Sequence, residues 1–536
     1  MIAILHRQLF RPLLRHLTTN RIMLSPRKKQ KVSESALLIW PNCLFKLEAA
    51  DIARYDQIFI VEEPMFFGHE TRRKYNINKL KLAYFRASMR WYQSFLGAIH
   101  PRVTYIDYSD VDTYSFLKGY ECAWFNPLDF DLDEKLASLK IVGQVLESRL
   151  FLVSNDDVTG YFKSRKEAKR FNQGQFYNWV KAKLDVLPNV PSQDHKNRQS
   201  LPKKHDFKWS TRKFDMEYLE IFKEAATYID NHPTFSKNLG STSKLHFYPI
   251  THQDALLQLK DFILERAANF GPYEDAIDKD EVVLFHSFIS VVLNNGLLSP
   301  KVALDLVMAA KDDIPLNSLE GWVRQLCGWR EYQRGIYTVF YKEMSTSNAF
   351  QQHSKLDWDI WSGKSDLGIP ILNNELKKAL AYGYCHHIPR LCVFLNMFVL
   401  LEICLEDVVQ WFSQVVAMDA YPWVMYSNIA SMGYYDPRFM QKPYVTASAY
   451  LLKMSNYPKG DWCHIWNCLF YRFLASKKQL LKGGASAYLR NLAYFEKKNE
   501  KEQAAMNAVA DRYIKRVTSG YNDVKSPVHF EEQHAN

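Results

Sequence analysis

Two adjacent histidines, His386 and His387, open the stretch of the chain where side chains able to do chemistry are most concentrated. An imidazole has a pKa near 6.5 and therefore donates or accepts a proton near neutral pH. Trp411 follows, and the stretch closes with Asp419 beside aromatic residues and with Asn428. This combination predicts a pocket for a large planar redox cofactor. By themselves, paired histidines also fit one core residue and one surface residue.

The composition narrows the class of protein that builds this pocket. A chain of 536 residues is long enough for two or three domains with cores of their own, and we expect two. The net charge of +11 favours a polyanionic partner, because a basic surface gains affinity by releasing the counterions condensed on nucleic acid. Apolar runs such as 392–405 are shorter than the roughly 18 residues of a membrane span, so we expect a soluble protein.

Eight cysteines are scattered along the chain without a single C-x-x-C spacing. Neither a zinc ribbon nor a secreted disulfide framework fits this pattern. The cysteines therefore favour a reducing compartment and no metal site.

Residues 1–34 predict a targeting or disordered extension. Arginines spaced among apolar residues, with no acidic residue before position 34, are typical of a transit peptide. The run Pro26–Val32 is typical of a nuclear localisation signal. We therefore expect the nucleus, the mitochondrion or both, since initiation at Met23 leaves only the nuclear signal. A disordered basic tail without an address is the alternative.

Short apolar runs alternate with helical patterns over residues 35–155, as expected of strands buried on both faces of a parallel sheet. The predicted strands are Ala36–Trp40, Gln57–Val61, Arg102–Ile106, Cys122–Phe125 and Arg149–Val153. A helix is predicted over 79–99, so this part is expected to be an open, Rossmann-like α/β domain. No G-x-G-x-x-G follows the first strand, which argues against a dinucleotide bound at a glycine-rich loop here.

The rest of the chain predicts a linker, a helical domain and a tail. Residues 156–245 contain a basic, aromatic-bearing segment predicted to be helical over 164–183 and a Pro-, Lys-, Asn- and Ser-rich stretch at 187–210. This pattern indicates an interdomain linker or a loop lying over a surface. Helical periodicity dominates residues 246–516, and 517–536 are expected to be disordered. The predicted fold class is α/β followed by all-α.

A series of short motifs runs in order through both predicted domains. They are Val61–Phe67, Lys79–Lys81 with Arg86–Met89, Asn197–Arg198 with Leu201–Lys203, Phe270–Ala276, Leu284–Ser287 with Leu293–Leu298, Glu320–Gln325 with Gly328–Tyr332, His386–Leu391 and Lys442–Val445. Together they resemble the cryptochrome/photolyase family, most closely its bacterial iron-sulfur branch, which includes (6-4) photolyases. The resemblance implies an α/β domain that can hold a light-harvesting antenna, a wrapping linker and a helical domain that binds FAD in a U shape.

The resemblance places four residues beside two parts of FAD, the pyrophosphate and the isoalloxazine. Ser287 and Ser290 fall on the segment that offers hydroxyl and backbone N–H groups to the pyrophosphate near a helix start. Asp419 and Asn428 fall on the segment that faces the isoalloxazine, where a carboxylate tunes the protonation and reduction of the flavin. Without the resemblance, such serines and an Asp before an aromatic residue are also ordinary helix caps.

Three further residues fall on segments that line the flavin cavity in this family, namely Tyr273, Gln325 and Arg330. The resemblance makes all three FAD-binding residues. Arg330 is expected to form a charge-assisted pair with a carboxylate. A structural ion pair that holds the helical domain together is the alternative for this arginine.

His386 and His387 match the adjacent pair that borders the lesion in (6-4) photolyases and assists proton transfer to it. We expect His387 to be the essential acid and His386 its neighbour or orienter. Trp411 matches a position of the photoreduction chain in the branch, and Trp361 resembles another. Phe412 stands where relatives carry Tyr, which alters any relay. Tryptophans at helical spacing otherwise indicate core packing.

Two cofactors of the branch have weak support in the sequence. The branch holds its iron-sulfur cluster with four cysteines, and this chain matches only the last of them, at Cys463. Cys463 alone, or with Cys468, cannot hold a four-iron cluster, so no cluster is expected. The segment Pro64–Phe67 is apolar where a lumazine-type antenna needs polar contacts. An antenna chromophore of unknown identity, or none, is therefore expected.

The resemblance implies a light-driven, FAD-dependent DNA photolyase acting on ultraviolet pyrimidine lesions, with (6-4) photoproducts favoured. Its partner is UV-damaged DNA, no membrane is involved and a monomer is expected. The alternative is a blue-light photoreceptor of the cryptochrome type with the same flavin fold.

Overall fold

The computed structural model describes residues 33–519 except 71–72, 112, 168–170, 203–217, 441 and 482–485. The basic run of the predicted nuclear signal and nearly all of the extension lie outside the described residues, as does most of the predicted tail. The predictions about targeting therefore stay predictions.

A five-stranded parallel sheet forms the centre of the first part of the chain, in the order β3-β2-β1-β4-β5. Its strands are β1 Glu34–Ile39, β2 Gln57–Val61, β3 Val103–Ile106, β4 Tyr120–Phe125 and β5 Gly143–Leu146. All five residues of β2 are buried, as a continuous apolar run in a parallel sheet predicts. The predicted class, an open parallel α/β part followed by a helical part, is confirmed, and the strand order is that of a Rossmann-like sheet.

One predicted strand was wrong, because Arg149–Val153 is irregular and the fifth strand is β5. The apolar side chains of this run are buried for another reason. Phe151 packs edge-on against Trp423 of the helical part, with ring centroids 5.0 Å apart. The Val153 carbonyl accepts a hydrogen bond of 2.7 Å from Arg334. Burial between the two parts of the chain therefore imitated the pattern of a strand, whereas the half-exposed edge strand β5 has a weak apolar pattern.

Helices make up most of the remainder, as predicted. No helix in the described part of the chain has both the length and the apolar character that crossing a membrane requires. Numbered where they have seven residues or more, the helices are α1 Lys79–Gly97, α2 Phe130–Ser138, α3 Asn155–Lys163, α4 Gln173–Leu184, α5 Leu219–Asn231, α6 His252–Glu265, α7 Pro300–Ala309, α8 Leu316–Val323, α9 Glu331–Met344, α10 Pro370–Tyr382, α11 Leu405–Val415, α12 Pro422–Met432, α13 Ser448–Met454, α14 Trp462–Ser476, α15 Ser486–Glu496 and α16 Glu500–Val517.

The helix predicted over 164–183 begins later than expected. In the structure α3 ends at Lys163 and α4 begins at Gln173. The side chain of Asn172 accepts a hydrogen bond from the backbone N–H of Gln175, which caps the first turn of α4. Asn172 therefore sets the true helix start.

The stretch after α4 contacts the helical part of the chain at two buried carboxylates. The Gln193 backbone N–H donates a hydrogen bond of 2.9 Å to the buried carboxylate of Glu320 in α8. The amide of Asn197 donates to the carboxylate of Glu274. These contacts hold the linker against a wall of the cavity described below.

Candidate functional site

A cavity with a volume of about 270 Å³ lies within the helical part of the chain. Just over half of the residues in its wall are apolar or aromatic and the others are polar or charged, so the cavity combines an apolar surface with groups that can orient a cofactor or substrate. Seven of the eleven predicted site residues line it. They are Ser287, Ser290, Gln325, Arg330, His387, Asp419 and Asn428.

Two π-helical segments position several of these side chains. One spans Arg324–Arg330 and joins α8 to α9, and the other spans Pro389–Leu395. The wider turn of a π-helix changes the direction of the side chains relative to a regular α-helix, and such segments are frequent at functional sites. Gln325 and Arg330 reach the cavity from the first segment, and Arg390 reaches it from the second.

Asp419 is held by a two-pronged ion pair with Arg390. The guanidinium donates to Oδ1 at 2.9 Å and to Oδ2 at 3.0 Å, and the Ser290 hydroxyl donates to Oδ2 at 2.5 Å. Burial by itself lowers the pKa of Arg390, but the Asp419 carboxylate raises it above its ordinary value. The negative charge of Asp419 is therefore balanced by Arg390, a residue that the sequence reasoning did not include in the site.

The expected carboxylate pair of Arg330 does not form within the described residues. Its guanidinium donates instead to the Asn294 side chain and to the Leu150 carbonyl at 3.2 Å, and it lies over the ring of Trp423 at 4.8 Å. Burial lowers the pKa of Arg330 to about 10. Arg330 therefore remains a buried cation facing the cavity.

Several buried polar atoms of the cavity wall have no hydrogen-bond partner in the described part of the chain. They are Nε2 and Oε1 of Gln333, Nε of Arg330, Nε1 of Trp423 and Nε2 of His286. A buried polar group without a partner is destabilising, so groups of this kind indicate a site built for a polar ligand. A cation, an amide and an indole N–H beside aromatic walls fit a flavin nucleotide, which offers anionic phosphates, ring carbonyls and a planar ring system.

Three histidines lie at or directly behind this wall, and they differ in their access to the cavity. His286 and His387 line the cavity, whereas His386 is buried behind the wall and stacks on His286 with ring centroids 4.2 Å apart. Burial lowers the pKa of His387 to about 4 and that of His286 to about 3, and it lowers the pKa of His386 well below 6.5. All three rings are therefore neutral at pH 7 in the protein alone.

Glu274 is an acid in the same wall. Burial raises its pKa to about 7, against the lowering influence of Arg324. Its oxygens accept hydrogen bonds from Gln325 at 2.7 Å and Asn197 at 3.3 Å. A carboxyl group with a pKa near 7 is suited to acid-base chemistry at neutral pH.

Four predicted site residues lie away from the wall of the cavity. Tyr273 packs against Phe285 at 5.2 Å, and His386 stands behind His286. Trp411 and Trp361 are fully buried and meet edge to face at 6.3 Å. Phe412, which does line the cavity, lies 5.0 Å from Trp411.

The regular spacing of aromatic and amide residues between α8 and α9 is the sequence signal that would have identified further residues of the cavity wall. A spacing of four residues separates Gln325 from Trp329 and Trp329 from Gln333, so the three share one face of the helical segment. Trp322 lies on the same wall, three residues before Gln325. Only Gln325 was predicted. Trp329 donates a hydrogen bond of 2.9 Å from its indole to Asn428, which fixes that predicted residue.

The apolar segment Pro64–Phe67 is tightly packed. Met65 and Phe67 are fully buried, and Phe67 contacts Phe85, Tyr108 and Phe235. The cavity that Met65 and Phe66 border has a volume of about 30 Å³, close to the volume that one water molecule occupies in liquid water. This packing fits the apolar character of the segment, and whether the protein holds an antenna chromophore stays a prediction.

The described cysteines are all unbonded, and seven of the eight are buried. Cys468 lies 3.6 Å from the Nε2 atom of His464, one turn earlier in α14. Within the residues that the structure describes, no group of three or more His, Cys, Asp or Glu side chains is arranged to hold a metal ion. Cys385 and Cys392 are packing residues.

The amino-acid sequence of this chain is similar to photolyases and to a photolyase-related family. Residues 37–247 match the family model described as deoxyribodipyrimidine photo-lyase-related protein. A (6-4) photolyase of Agrobacterium fabrum is 28% identical over 467 residues, which cover 79% of this chain and 87% of the relative.

Two solved structures share the fold. A bacterial class III photolyase from Agrobacterium tumefaciens superposes with a TM-score of 0.51 at 13% identity, covering 92% of this chain and all of that chain. A Synechocystis cryptochrome superposes with a TM-score of 0.51 at 14% identity, covering 91% of this chain and all of that chain. At these identities the likeness concerns the fold alone.

Proposed function

We propose that this chain, which belongs to the cryptochrome/photolyase family, is a light-driven, FAD-dependent DNA photolyase for ultraviolet pyrimidine lesions, with (6-4) photoproducts preferred. The convergence on one cavity of seven predicted residues from different segments of the chain carries this proposal. The relative of known activity that covers most of the chain, the (6-4) photolyase of Agrobacterium fabrum, supports the substrate class.

FAD would be held by the polar side chains of the cavity wall. Arg330 would balance a negative charge of the cofactor, since it has no carboxylate partner among the described residues. Gln333, Gln325 and Asn428 would provide neutral hydrogen bonds, and the Ser287 side chain lines the same wall. When bound, the reduced flavin supplies an electron donor that blue light excites.

The chain's own contribution to repair is binding, extrusion of the lesion and proton handling. Its positive net charge attracts the DNA phosphates, and the damaged base pair is extruded because its stacking and pairing are already weakened. His387 faces the cavity and is neutral in the protein alone. The phosphates of bound DNA would raise its pKa, so that His387 donates a proton to the lesion after the substrate arrives.

A blue-light photoreceptor is the second candidate, and a specific contact favours it. The buried Trp411 and Trp361 meet each other, and Phe412 joins Trp411 to the cavity wall. Such a contact serves photoreduction of a flavin whether or not DNA is bound. Both candidates therefore share the cofactor and differ in the fate of the lesion.

The deciding experiment illuminates the reduced protein with oligonucleotides that carry either a (6-4) photoproduct or a cyclobutane dimer. We expect repair of the (6-4) photoproduct, and we expect His387→Ala to abolish it. His353→Ala is the matched control, because His353 is exposed and lies outside the cavity wall. Repair of the cyclobutane dimer alone would overturn the substrate choice. Photoreduction without repair of either lesion would favour the photoreceptor.

We also propose that the protein acts as a monomer in the nucleus, the mitochondrion or both. The proposed addresses lie in residues 1–34, and Met23 separates the part that resembles a transit peptide from the run that resembles a nuclear signal. Immunolocalisation of forms that start at Met1 and at Met23 tests this, and both forms in one compartment would contradict dual targeting.

A further inference from the structure

His286, rather than His386, shares the cavity wall with His387. The stacked contact between His286 and His386 has an angle of 22° between the ring planes, so one imidazole covers the other. His386 is 2% exposed and does not reach the cavity. The two imidazoles that a ligand in the cavity can touch therefore come from distant parts of the sequence.

The His286 ring is held from several sides and keeps one free polar atom. The backbone N–H of His286 donates to the Val283 carbonyl at 3.0 Å, and its carbonyl accepts from Arg266 at 3.3 Å. The ring packs edge-on against Phe270 at 5.8 Å and face to face against His386. Its Nε2 atom is buried and has no hydrogen-bond partner in the described residues.

We propose that Nε2 of His286 accepts a hydrogen bond from the extruded pyrimidine lesion, and that His386 is the positioning residue that holds the His286 ring by stacking. This inference rests on the proposed function, because it takes the lesion as the ligand. It changes the roles expected from the adjacent pair: His387 faces the lesion together with His286, and His386 acts through its neighbour.

The surroundings of His286 favour a neutral acceptor. Positive groups are near, since Arg266 binds its carbonyl and His387 and Arg390 both disfavour a charge on its ring. Burial is the largest influence and, with these groups, lowers the pKa of His286 to about 3, while the backbone of Glu274 opposes this by hydrogen bonding. The ring therefore stays neutral at pH 7 and is suited to a donor group rather than to a phosphate.

A lone acceptor at this place has a consequence for substrate choice. A (6-4) photoproduct of two thymines carries a hydroxyl group at C5 of its 5′ base, and a cyclobutane dimer has no hydroxyl at that carbon. A site built to bind a hydroxyl group discriminates strongly against an analogue that lacks it, because the buried acceptor is then left without a partner. His286 thus contributes to lesion specificity.

Binding in the dark, measured with (6-4), cyclobutane and undamaged duplexes, tests this without light-driven turnover. His286→Phe keeps the stacked ring and removes the acceptor, so we expect its affinity for the (6-4) duplex, relative to undamaged DNA, to fall about ten- to a hundred-fold. His286→Gln keeps an acceptor and is expected to recover part of the loss. His386→Ala removes the stacking partner and is expected to weaken binding, whereas His386→Phe restores the stacked ring and recovers it.

Repair under illumination, flavin content and the melting temperature are measured on the same proteins. Full (6-4) affinity in His286→Phe, or a loss in His386→Phe as large as in His386→Ala, would overturn the inference. Loss of flavin with lesion binding retained in His286→Phe would place Nε2 toward the cofactor and would also overturn it. Wild-type protein that repairs neither lesion, while still binding the (6-4) duplex through His286, would instead remove the proposed function.

Discussion

Arg390→Met should destabilise the protein strongly, because it leaves the buried carboxylate of Asp419 without its cation. The side chains are 16% and 5% exposed, and both N–O distances of the pair are 3.0 Å or less. Breaking a buried pair by removing one partner costs about 3–5 kcal/mol. The variant also removes the hydrogen bond of 2.6 Å from Nε to the Cys385 carbonyl, worth about 1 kcal/mol. We expect a total loss near the middle of this range, since the Ser290 hydroxyl still supports Asp419.

A double-mutant cycle isolates the pair from these other contacts. Arg390→Met, Asp419→Asn and the double variant are compared by urea unfolding, and the double variant should lose less than the sum of the single losses by about 2–3 kcal/mol. Lys301→Met is the matched control, because the Lys301–Asp305 pair is exposed and worth less than about 1 kcal/mol.

The flavin offers a second measurement on the same variants. With Arg390 removed, the negative charge of Asp419 is no longer balanced, and a negative charge near a flavin disfavours its reduction. We expect the midpoint potential of bound FAD to fall in Arg390→Met and to recover in the double variant. A stability loss no larger than that of Lys301→Met, or a coupling energy of zero, would refute this account of the pair.

The remaining predictions concern the tryptophans, pH and iron. Trp411→Phe should slow photoreduction of bound FAD several-fold under blue light with a thiol reductant, while Trp466→Phe, which changes another fully buried tryptophan, should not; equal rates in both would contradict an electron-transfer role. In the folded protein the pKa values of His286 and His387 are lowered to about 3 and 4. As the pH falls below 6.5, these histidines therefore take up protons in the unfolded chain before they do so in the folded protein. Stability then falls toward pH 4 by about 1.4 kcal/mol per pH unit per histidine. Glu274, with its pKa raised to about 7, stabilises the folded protein as the pH falls from 7 to 4.5 and so offsets part of this loss. The melting temperature should therefore fall modestly from pH 7 to 5. A rise over this range would show that the histidines do not contribute. Purified protein should lack stoichiometric iron, and absorption bands of an iron-sulfur cluster would contradict the cysteine assignment.

Fold class followed from the sequence because burial of a strand on both faces leaves a local record. The apolar run Gln57–Val61 is a fully buried strand in the structure. The same reasoning failed at Arg149–Val153, where burial comes from the helical part and not from a neighbouring strand. Local pattern reports that a segment is buried but does not report what covers it.

The candidate site was predictable to the extent that motifs mark it. Asp419 and Arg330 were both found, but their partners depend on side-chain placement that no spacing encodes. The carboxylate pair expected of Arg330 does not form within the described residues, and Asp419 pairs with Arg390. His386 was selected because it and His387 match an adjacent histidine pair of the family. His386 is irregular and helical structure begins at His387, so the two side chains point in different directions. The structure places His386 behind the wall and brings His286 to the wall from a distant segment.

Contacts between the segment after β5 and the start of α9 bear on how this protein is synthesised. The Leu150 carbonyl, the Leu152 N–H and the Val153 carbonyl are bound by Arg330, Glu331 and Arg334, each about 180 residues further along the chain. A ribosome adding roughly 5–20 residues per second needs on the order of ten to forty seconds to deliver those partners. During that time the apolar run around Phe151 is exposed on a nascent chain. Chaperones that recognise exposed apolar segments are therefore expected to bind there until translation has passed α9.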